Sequence, residues 1–77
     1  MSIISNAVKQ NRARQYQATQ VAVASAIAKQ QWDRLQTYTN IYGMKMVQVD
    51  GVVGWCIPRD EAIKMFREYQ RTGKISI

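Results

Sequence analysis

Two short apolar segments flank an aspartate–glycine pair near the middle of the chain, and this pattern restricts the possible folds most strongly. An Asp-Gly pair between such segments is the strongest short-range signal for a two-residue turn in a β-hairpin. Residues 44–57, MKMVQVDGVVGWCI, therefore predict a hairpin that turns at Asp50-Gly51. In the register that this turn sets, Val47 lies opposite Gly54 and Met46 lies opposite Trp55.

Side chains alternate along each strand, so the predicted hairpin has two unequal faces. The more apolar face, which we expect to be buried, carries Met44, Met46, Gln48, Val53, Trp55 and Ile57. The other face carries Lys45, Val47, Val49, Val52, Gly54 and Cys56. Because an isolated hairpin is only marginally stable in water, the helical sequences on either side must cover its apolar face.

Residues 1–42 contain neither glycine nor proline, and residues that favour helix dominate them. A single helix over about residues 5–40 would be about 50 Å long, which exceeds the diameter of a domain of this size. Apolar residues recur at helical spacing from Val21 to Tyr42, but the same arc is polar before residue 19. We therefore expect a core helix over residues 20–40, ended by Gly43, and a separate helix or projecting arm within residues 1–19.

A second helix is predicted after the hairpin, over about residues 59–71. Proline is favoured at the first helical position and acidic residues in the first turn, which fits Pro58 followed by Asp60 and Glu61. Gly73 predicts the end of this helix. The tail over residues 74–77 alternates in polarity, which is compatible with a short third strand. The predicted fold class is α+β.

The chain has 77 residues, which corresponds to a single domain over residues 1–77. A chain this short is marginally stable alone. It contains one cysteine and no histidine, so it forms no internal disulfide and lacks the usual zinc ligand and general base. We therefore expect self-association into a homodimer to supply extra stability, although a small monomer with a good core is the alternative.

The apolar arc of the predicted core helix is broader than one hairpin face requires. We interpret the surplus as a partner interface between two copies of the chain. Its predicted members are Val23, Ile27, Tyr38 and Ile41. The alternative is that the C-terminal helix covers this surplus.

No group of residues has the pattern of a catalytic site. Cys56 lies in a predicted strand and has no histidine to activate it, so we interpret it as a small buried thiol. The turn explains Asp50, and the start of the second helix explains Asp60 and Glu61. No glycine-rich phosphate loop is present. We expect a protein that is not an enzyme and holds no metal or cofactor.

The formal net charge of +6 indicates an anionic partner, either nucleic acid or the acidic surface of a protein. The candidate phosphate contacts are Lys9, Arg12, Arg14, Lys45, Lys64, Arg67, Arg71 and Lys74. Lys64, Arg67 and Arg71 are spaced so that they share one helix face. The polar face of any basic amphipathic helix gives the same pattern.

These observations predict a small basic regulator that binds DNA or RNA through phosphate contacts and acts as a dimer. Two alternatives stay open: an inhibitor or adaptor that docks on an acidic surface of a larger enzyme or complex, and a structural subunit of an assembly. No stretch approaches the ~20 apolar residues of a membrane span, so we expect no membrane partner. A free thiol without a secretory signal fits the cytoplasm.

Overall fold

The computed structural model describes the backbone of residues 3–77 and the side chains of residues 15–77. Its elements are α1 (Ile3–Ala28), a short 3-10 helix (Trp32–Arg34), β1 (Leu35–Thr39), β2 (Lys45–Val49), β3 (Cys56–Pro58) and α2 (Arg59–Thr72). The strands form one antiparallel sheet in the order β1-β2-β3. The predicted α+β class is confirmed, and α2 has nearly the predicted bounds.

The core lies between the two helices and one face of the sheet. Val47 and Ile57 are direct partners across β2 and β3, and Val49 lies on the same face. The buried apolar cluster consists of Val23, Ala24, Ile27, Val47, Val49, Ile57, Ala62 and Met65. Among the described side chains, the polar Thr19 is also buried, and its hydroxyl donates a hydrogen bond to the Gln15 carbonyl at 2.8 Å. Within the described side chains of α1, burial therefore begins at Thr19.

Helix α1 ends at Ala28, so the predicted core helix over residues 20–40 is wrong in its second half. The N–H of Gln30 donates to the Ile27 carbonyl at 3.1 Å, and that of Gln31 donates to the Ala26 carbonyl at 2.8 Å. These two bonds form a Schellman motif, which requires a left-handed residue just after the helix. That residue is Gln30, with φ of 56°, rather than glycine. The sequence therefore carries no obvious stop signal here.

The backbone of α1 runs without a break from Ile3 to Ala28. The polar sequence before residue 19 therefore does not interrupt the helix. The side chains of residues 1–14 lie outside those that the structure describes, so the projecting arm remains a prediction.

Strand β1 is formed by residues that the sequence analysis predicts to be the end of the core helix. Leu35 pairs with Val49 and Tyr38 pairs with Met46, in an antiparallel ladder between β1 and β2. The segment LQTYT is rich in β-branched and aromatic residues, which favour strand. Gly43, with φ of 77°, belongs to the turn between β1 and β2 and not to a helix end. Its N–H donates to the Asn40 carbonyl at 3.0 Å.

The Asp50-Gly51 turn forms as predicted. Both residues have positive φ, 57° and 68°, and the N–H of Val52 donates to the Val49 carbonyl at 3.2 Å. A second turn follows at once, in which the Trp55 N–H donates to the Val52 carbonyl at 3.1 Å. As a result, Val47 pairs with Ile57 instead of the predicted Gly54, and the register differs by three residues.

An odd shift in register exchanges the two faces of one strand relative to the other. The prediction of the buried face is therefore wrong for β2, because Val47 and Val49 lie in the core. Ile57 is buried as predicted. The other members of the predicted face are exposed or only partly buried, namely Met44, Met46, Gln48, Val53 and Trp55. Trp55 still packs against the edge of the core.

The C-terminal tail crosses back over α2 and forms no strand over residues 74–77, so the predicted strand there is wrong. The N–H of Ser76 donates to Glu68 Oε1 at 3.0 Å, and Ile75 packs against the core. The third strand of the sheet is β1 instead. In the part of the chain that the structure describes, no helix is long and apolar enough to cross a membrane.

The left-handed conformation of Gln30 leads to a test of the end of α1. We expect Gln30→Gly to raise the free energy of unfolding by about 0.5–1 kcal/mol, because glycine adopts positive φ without the steric cost of a Cβ. The matched control is Gln31→Gly, where φ is −93°. There glycine only adds freedom to the unfolded chain, and we expect a loss of about 0.5–1 kcal/mol. Urea denaturation measures both changes, and equal signs would contradict the motif.

Candidate nucleic-acid interface

Helix α2 presents basic residues on the side away from the core. Ala62 and Met65 are buried beneath the helix. At 100° per residue, Lys64, Arg67 and Arg71 fall on the opposite side within an arc of about 60°. All three side chains are exposed. The structure therefore brings these three residues together on one surface, which we call the α2 outer face.

Glu61 points from α2 toward α1. Its carboxylate accepts hydrogen bonds from the Tyr16 hydroxyl and from Gln20 Nε2, the latter at 2.6 Å. Hydrogen bonding to Glu61 raises the pKa of Tyr16 to about 12, because only the neutral phenol is a donor. The charge of Glu61 is therefore directed at the contact between the helices and away from the α2 outer face.

Two other carboxylates, those of Asp50 and Glu68, also accept hydrogen bonds from groups of the same chain. Asp50 accepts hydrogen bonds from Arg34 Nε at 2.7 Å and from Arg34 Nη2 at 2.8 Å. This bidentate contact holds the pKa of Asp50 below its ordinary value. Glu68 binds the N–H of Ser76 rather than pairing with Lys64. Among the described side chains, no carboxylate lies within ion-pairing distance of the α2 outer face.

A cleft lined by hydroxyl and cationic side chains lies at one end of the sheet. Thr39 pairs with Lys45, and Met46 pairs with Pro58, so the next position opposite Lys45 is Arg59, the first residue of α2. The cleft encloses about 230 Å³ and is lined by Thr37, Tyr38, Thr39, Lys45 and Arg59. No acidic residue lines it. We call this site the Lys45–Arg59 cleft.

An apolar groove between α2 and β1 adjoins the Lys45–Arg59 cleft, because Thr37 and Arg59 line both. The groove encloses about 240 Å³, and its walls include Trp32, Ile63 and Phe66. The rings of Trp32 and Phe66 meet edge to face, with centroids 5.4 Å apart and planes at 79°. The Trp32 side chain is nevertheless 49% exposed. We call this site the Trp32 groove.

The remaining predicted contacts are separated from these sites or lie outside the description. Lys74 is exposed just beyond the end of α2. The side chains of Lys9, Arg12 and Arg14 lie outside the described residues, so their role stays a prediction.

The predicted partner interface is divided by the fold. Val23 and Ile27 are buried in the core of the chain itself and offer no surface to a second copy. Tyr38 and Ile41 are exposed, on β1 and on the turn that follows it. The cover that the sequence analysis offered as an alternative is present, because α2 belongs to the same buried cluster as Val23 and Ile27.

The carboxylates and Cys56 are the residues in the described part of the chain that could form a metal-binding or reactive site. Within that part, no group of three or more Cys, Asp or Glu residues is placed to hold a metal ion. Cys56 is a free thiol, partly buried on the open face of the sheet. The neighbouring Cys56 side chain raises the pKa of Tyr38. Both side chains therefore act here as polar groups on a strand surface.

Sequence reasoning found the basic residues but missed the sites that adjoin them. The predicted core helix includes Trp32, Thr37 and Thr39, and within a helix the two threonines would not lie beside Lys45. The signal that would have placed the two threonines is the β-favouring segment LQTYT, which is separated from the turn sequence Tyr42-Gly43 by two residues.

The ion pair between Arg34 and Asp50 predicts a pH dependence of stability. Because Arg34 lowers the folded-state pKa of Asp50, the stabilising contribution is present above the ordinary pKa of 3.8 and disappears as the pH falls through the lowered value. Asp50→Asn keeps a residue that tolerates positive φ but removes the charge. We expect the variant to be less stable at pH 7 and to approach the unaltered protein at low pH, as measured by urea denaturation.

The control for this prediction is the same substitution in an Arg34→Gln background. There Asp50→Asn should no longer change the dependence of stability on pH. A difference between the unaltered protein and Asp50→Asn that stays constant from pH 7 to the acid limit would contradict the role of the pair.

The chain matches no protein-family model, no curated protein and no solved structure with which it was compared. The features that bear on its function are the α2 outer face, the Lys45–Arg59 cleft and the Trp32 groove.

Proposed function

We propose that this protein is a small non-enzymatic regulator that binds nucleic acid through phosphate contacts made by the α2 outer face. The observation that supports the proposal most is the difference between the carboxylates and the cations of the chain. Asp50, Glu61 and Glu68 are engaged by donors of the same chain, whereas Lys64, Arg67 and Arg71 point outward together. Asp60 falls on the same arc of α2, but among the described side chains none of the three cations forms an ion pair with it or with another carboxylate. Cations that are unpaired within the chain can attract the phosphates of a polyanion.

Phosphate contacts position a nucleic acid but do not read its sequence. Three lysine and arginine contacts account for a dependence of log K on log salt concentration of about −3. The predicted contacts at Lys9, Arg12 and Arg14 would add to this value. The proposal is therefore for binding that is strong only at low to moderate salt and that carries little base specificity from α2 itself.

A homodimer would place two α2 outer faces on one ligand and raise the affinity by avidity. The exposed side chains of Tyr38 and Ile41 support this part of the proposal, because they are the members of the predicted partner interface that remain at the surface. The free thiol of Cys56 suits a reducing compartment, so we propose that the protein acts in the cytoplasm.

The proposal is tested by removing charge from the α2 outer face without changing its shape. We expect Arg67→Gln/Arg71→Gln to reduce the salt dependence of log K by about 2, because two counterion-releasing contacts are lost. The matched variant Arg67→Lys/Arg71→Lys keeps both charges and should keep the slope. Fluorescence anisotropy with labelled DNA and RNA between 50 and 200 mM salt, as approximate limits, measures both.

Removing one lysine at a time distinguishes the effect of the α2 outer face from the effect of net charge. Lys64→Gln and Lys29→Gln each remove one exposed lysine, on α2 and at the end of α1. Only Lys64→Gln should weaken binding appreciably. Failure of the unaltered protein to bind either DNA or RNA at low salt would refute the proposed function.

A second candidate function, docking on an acidic surface of another protein, is supported by the turn between β1 and β2. Ile41 is 92% exposed and Tyr42 is 86% exposed at its tip. Two adjacent apolar side chains this exposed are typical of contact residues that fill a pocket in a partner. Lys45 follows close by and suits an acidic rim around such a pocket.

This second function predicts a partner that is retained by the tagged chain after nuclease treatment. Ile41→Ser/Tyr42→Ser should abolish retention, because the apolar contact is lost. Val53→Ser is the matched control, since Val53 is 91% exposed at the opposite end of β2. Equal retention by all variants would argue against docking through this turn.

A further inference from the structure

We propose that the Lys45–Arg59 cleft and the Trp32 groove together bind one nucleotide unit of a single-stranded nucleic acid. The phosphate would lie between Lys45 and Arg59, and the base would enter the groove beside Trp32. This inference rests on the proposed function, and it names the form of nucleic acid that the protein prefers. It concerns a surface distinct from the α2 outer face.

Binding of the phosphate is supported by a row of hydrogen-bond donors, which the register of the sheet places side by side. Thr39, Lys45 and the first residue of α2, Arg59, lie side by side across one end of the sheet. Lysine and arginine supply only donors, and a threonine hydroxyl adds another. All three side chains are exposed, and no acidic residue lines the cleft. The cleft therefore favours a compact anion with several acceptor oxygens.

Binding of the base is supported by the apolar Trp32 groove, which adjoins the Lys45–Arg59 cleft. The aliphatic and aromatic walls of the Trp32 groove begin at the shared residues Thr37 and Arg59, so an anion in the cleft has an apolar surface beside it. Phe66 contacts Trp32 edge to face, which fixes the indole but leaves about half of it exposed. A flat apolar group joined to a phosphate matches this pairing of sites, and a nucleotide has that composition.

The form of the nucleic acid follows from access to the base. In a duplex, the bases are stacked and paired, so none can enter a groove on the protein surface without being extruded. In a single strand, the base faces are free to stack on an aromatic side chain while cations follow the backbone. The α2 outer face has no aromatic platform among its members and is indifferent to this distinction. The cleft and groove therefore add a preference for single strands.

The test uses the full chain, a deoxythymidine oligonucleotide and a duplex of the same length. We expect the single strand to shift the indole N–H signal of Trp32 in ¹⁵N-edited NMR spectra, while the partly buried Trp55 indole serves as an internal control. Lys45→Gln should weaken single-strand binding several-fold more than duplex binding. Lys64→Gln, on the α2 outer face, should weaken both alike. Trp32→Leu should cost single-strand affinity roughly five-fold or more.

Controls keep the outcome interpretable. Val53→Ser removes an exposed apolar side chain outside the groove and should leave single-strand affinity unchanged. Thermal unfolding of each variant checks that the fold is retained, and Lys45→Gln tests the cleft without altering the contact between Trp32 and Phe66.

The failures of the two proposals are distinguishable. Duplex and single-strand binding that respond equally to Lys45→Gln, with an unshifted Trp32 signal, would overturn this inference and leave the proposed function standing. Absence of binding to both nucleic acids would overturn both. A Trp32 shift produced by phosphatidylcholine–phosphatidylserine vesicles or by inorganic phosphate, but not by the oligonucleotide, would also overturn the assignment.

Discussion

The packing of α1 and α2 against one face of a three-stranded sheet is the constraint on which the other features depend. Val23 and Ile27 from α1 and Ala62 and Met65 from α2 share one cluster with Val47, Val49 and Ile57. Burying a single such side chain stabilises the fold by roughly 1.5–3 kcal/mol, and a domain this small has few of them. Because α2 must turn Ala62 and Met65 inward, its basic residues can only face outward. The same packing leaves one end of the sheet uncovered, where the Lys45–Arg59 cleft lies.

Sequence patterns located the parts of this fold that depend on local signals. Helix α2 follows from Pro58, the acidic first turn and Gly73, each of which acts within a few residues of its position. The Asp50-Gly51 turn is also local, and both residues have the positive φ that such a turn requires. The outward position of Lys64, Arg67 and Arg71 was predictable for the same reason, since it needs only helical geometry and one buried side.

The predictions were wrong where residues of a strand have the spacing of a helix, and where a second turn follows the predicted one. Trp32, Leu35 and Tyr38 are spaced like a helix stripe. Leu35 and Tyr38 nevertheless lie in β1, and Trp32 lies in the 3-10 helix before it, because α1 ends in a Schellman motif that uses glutamine. The register of β2 and β3 was wrong because Gly54 supports a second turn directly after the first. The Lys45–Arg59 cleft depends on that register and on β1, so sequence reasoning could identify Lys45 as basic but could not find its neighbours.

The order of the elements, with α1 ahead of β3 and α2, has a consequence for how the protein is made. The partners of α1 in the core include β3 and α2, which lie in the last third of the sequence. During synthesis α1 is therefore completed long before Ile57 and Met65 exist to cover Val23 and Ile27. The nascent chain must carry an uncovered apolar helix face until β3 and α2 have been synthesised, and such a face favours association with other surfaces. Rapid closure of the sheet is helped by its short β1–β2 and β2–β3 connections, because neighbouring strands meet without a long search.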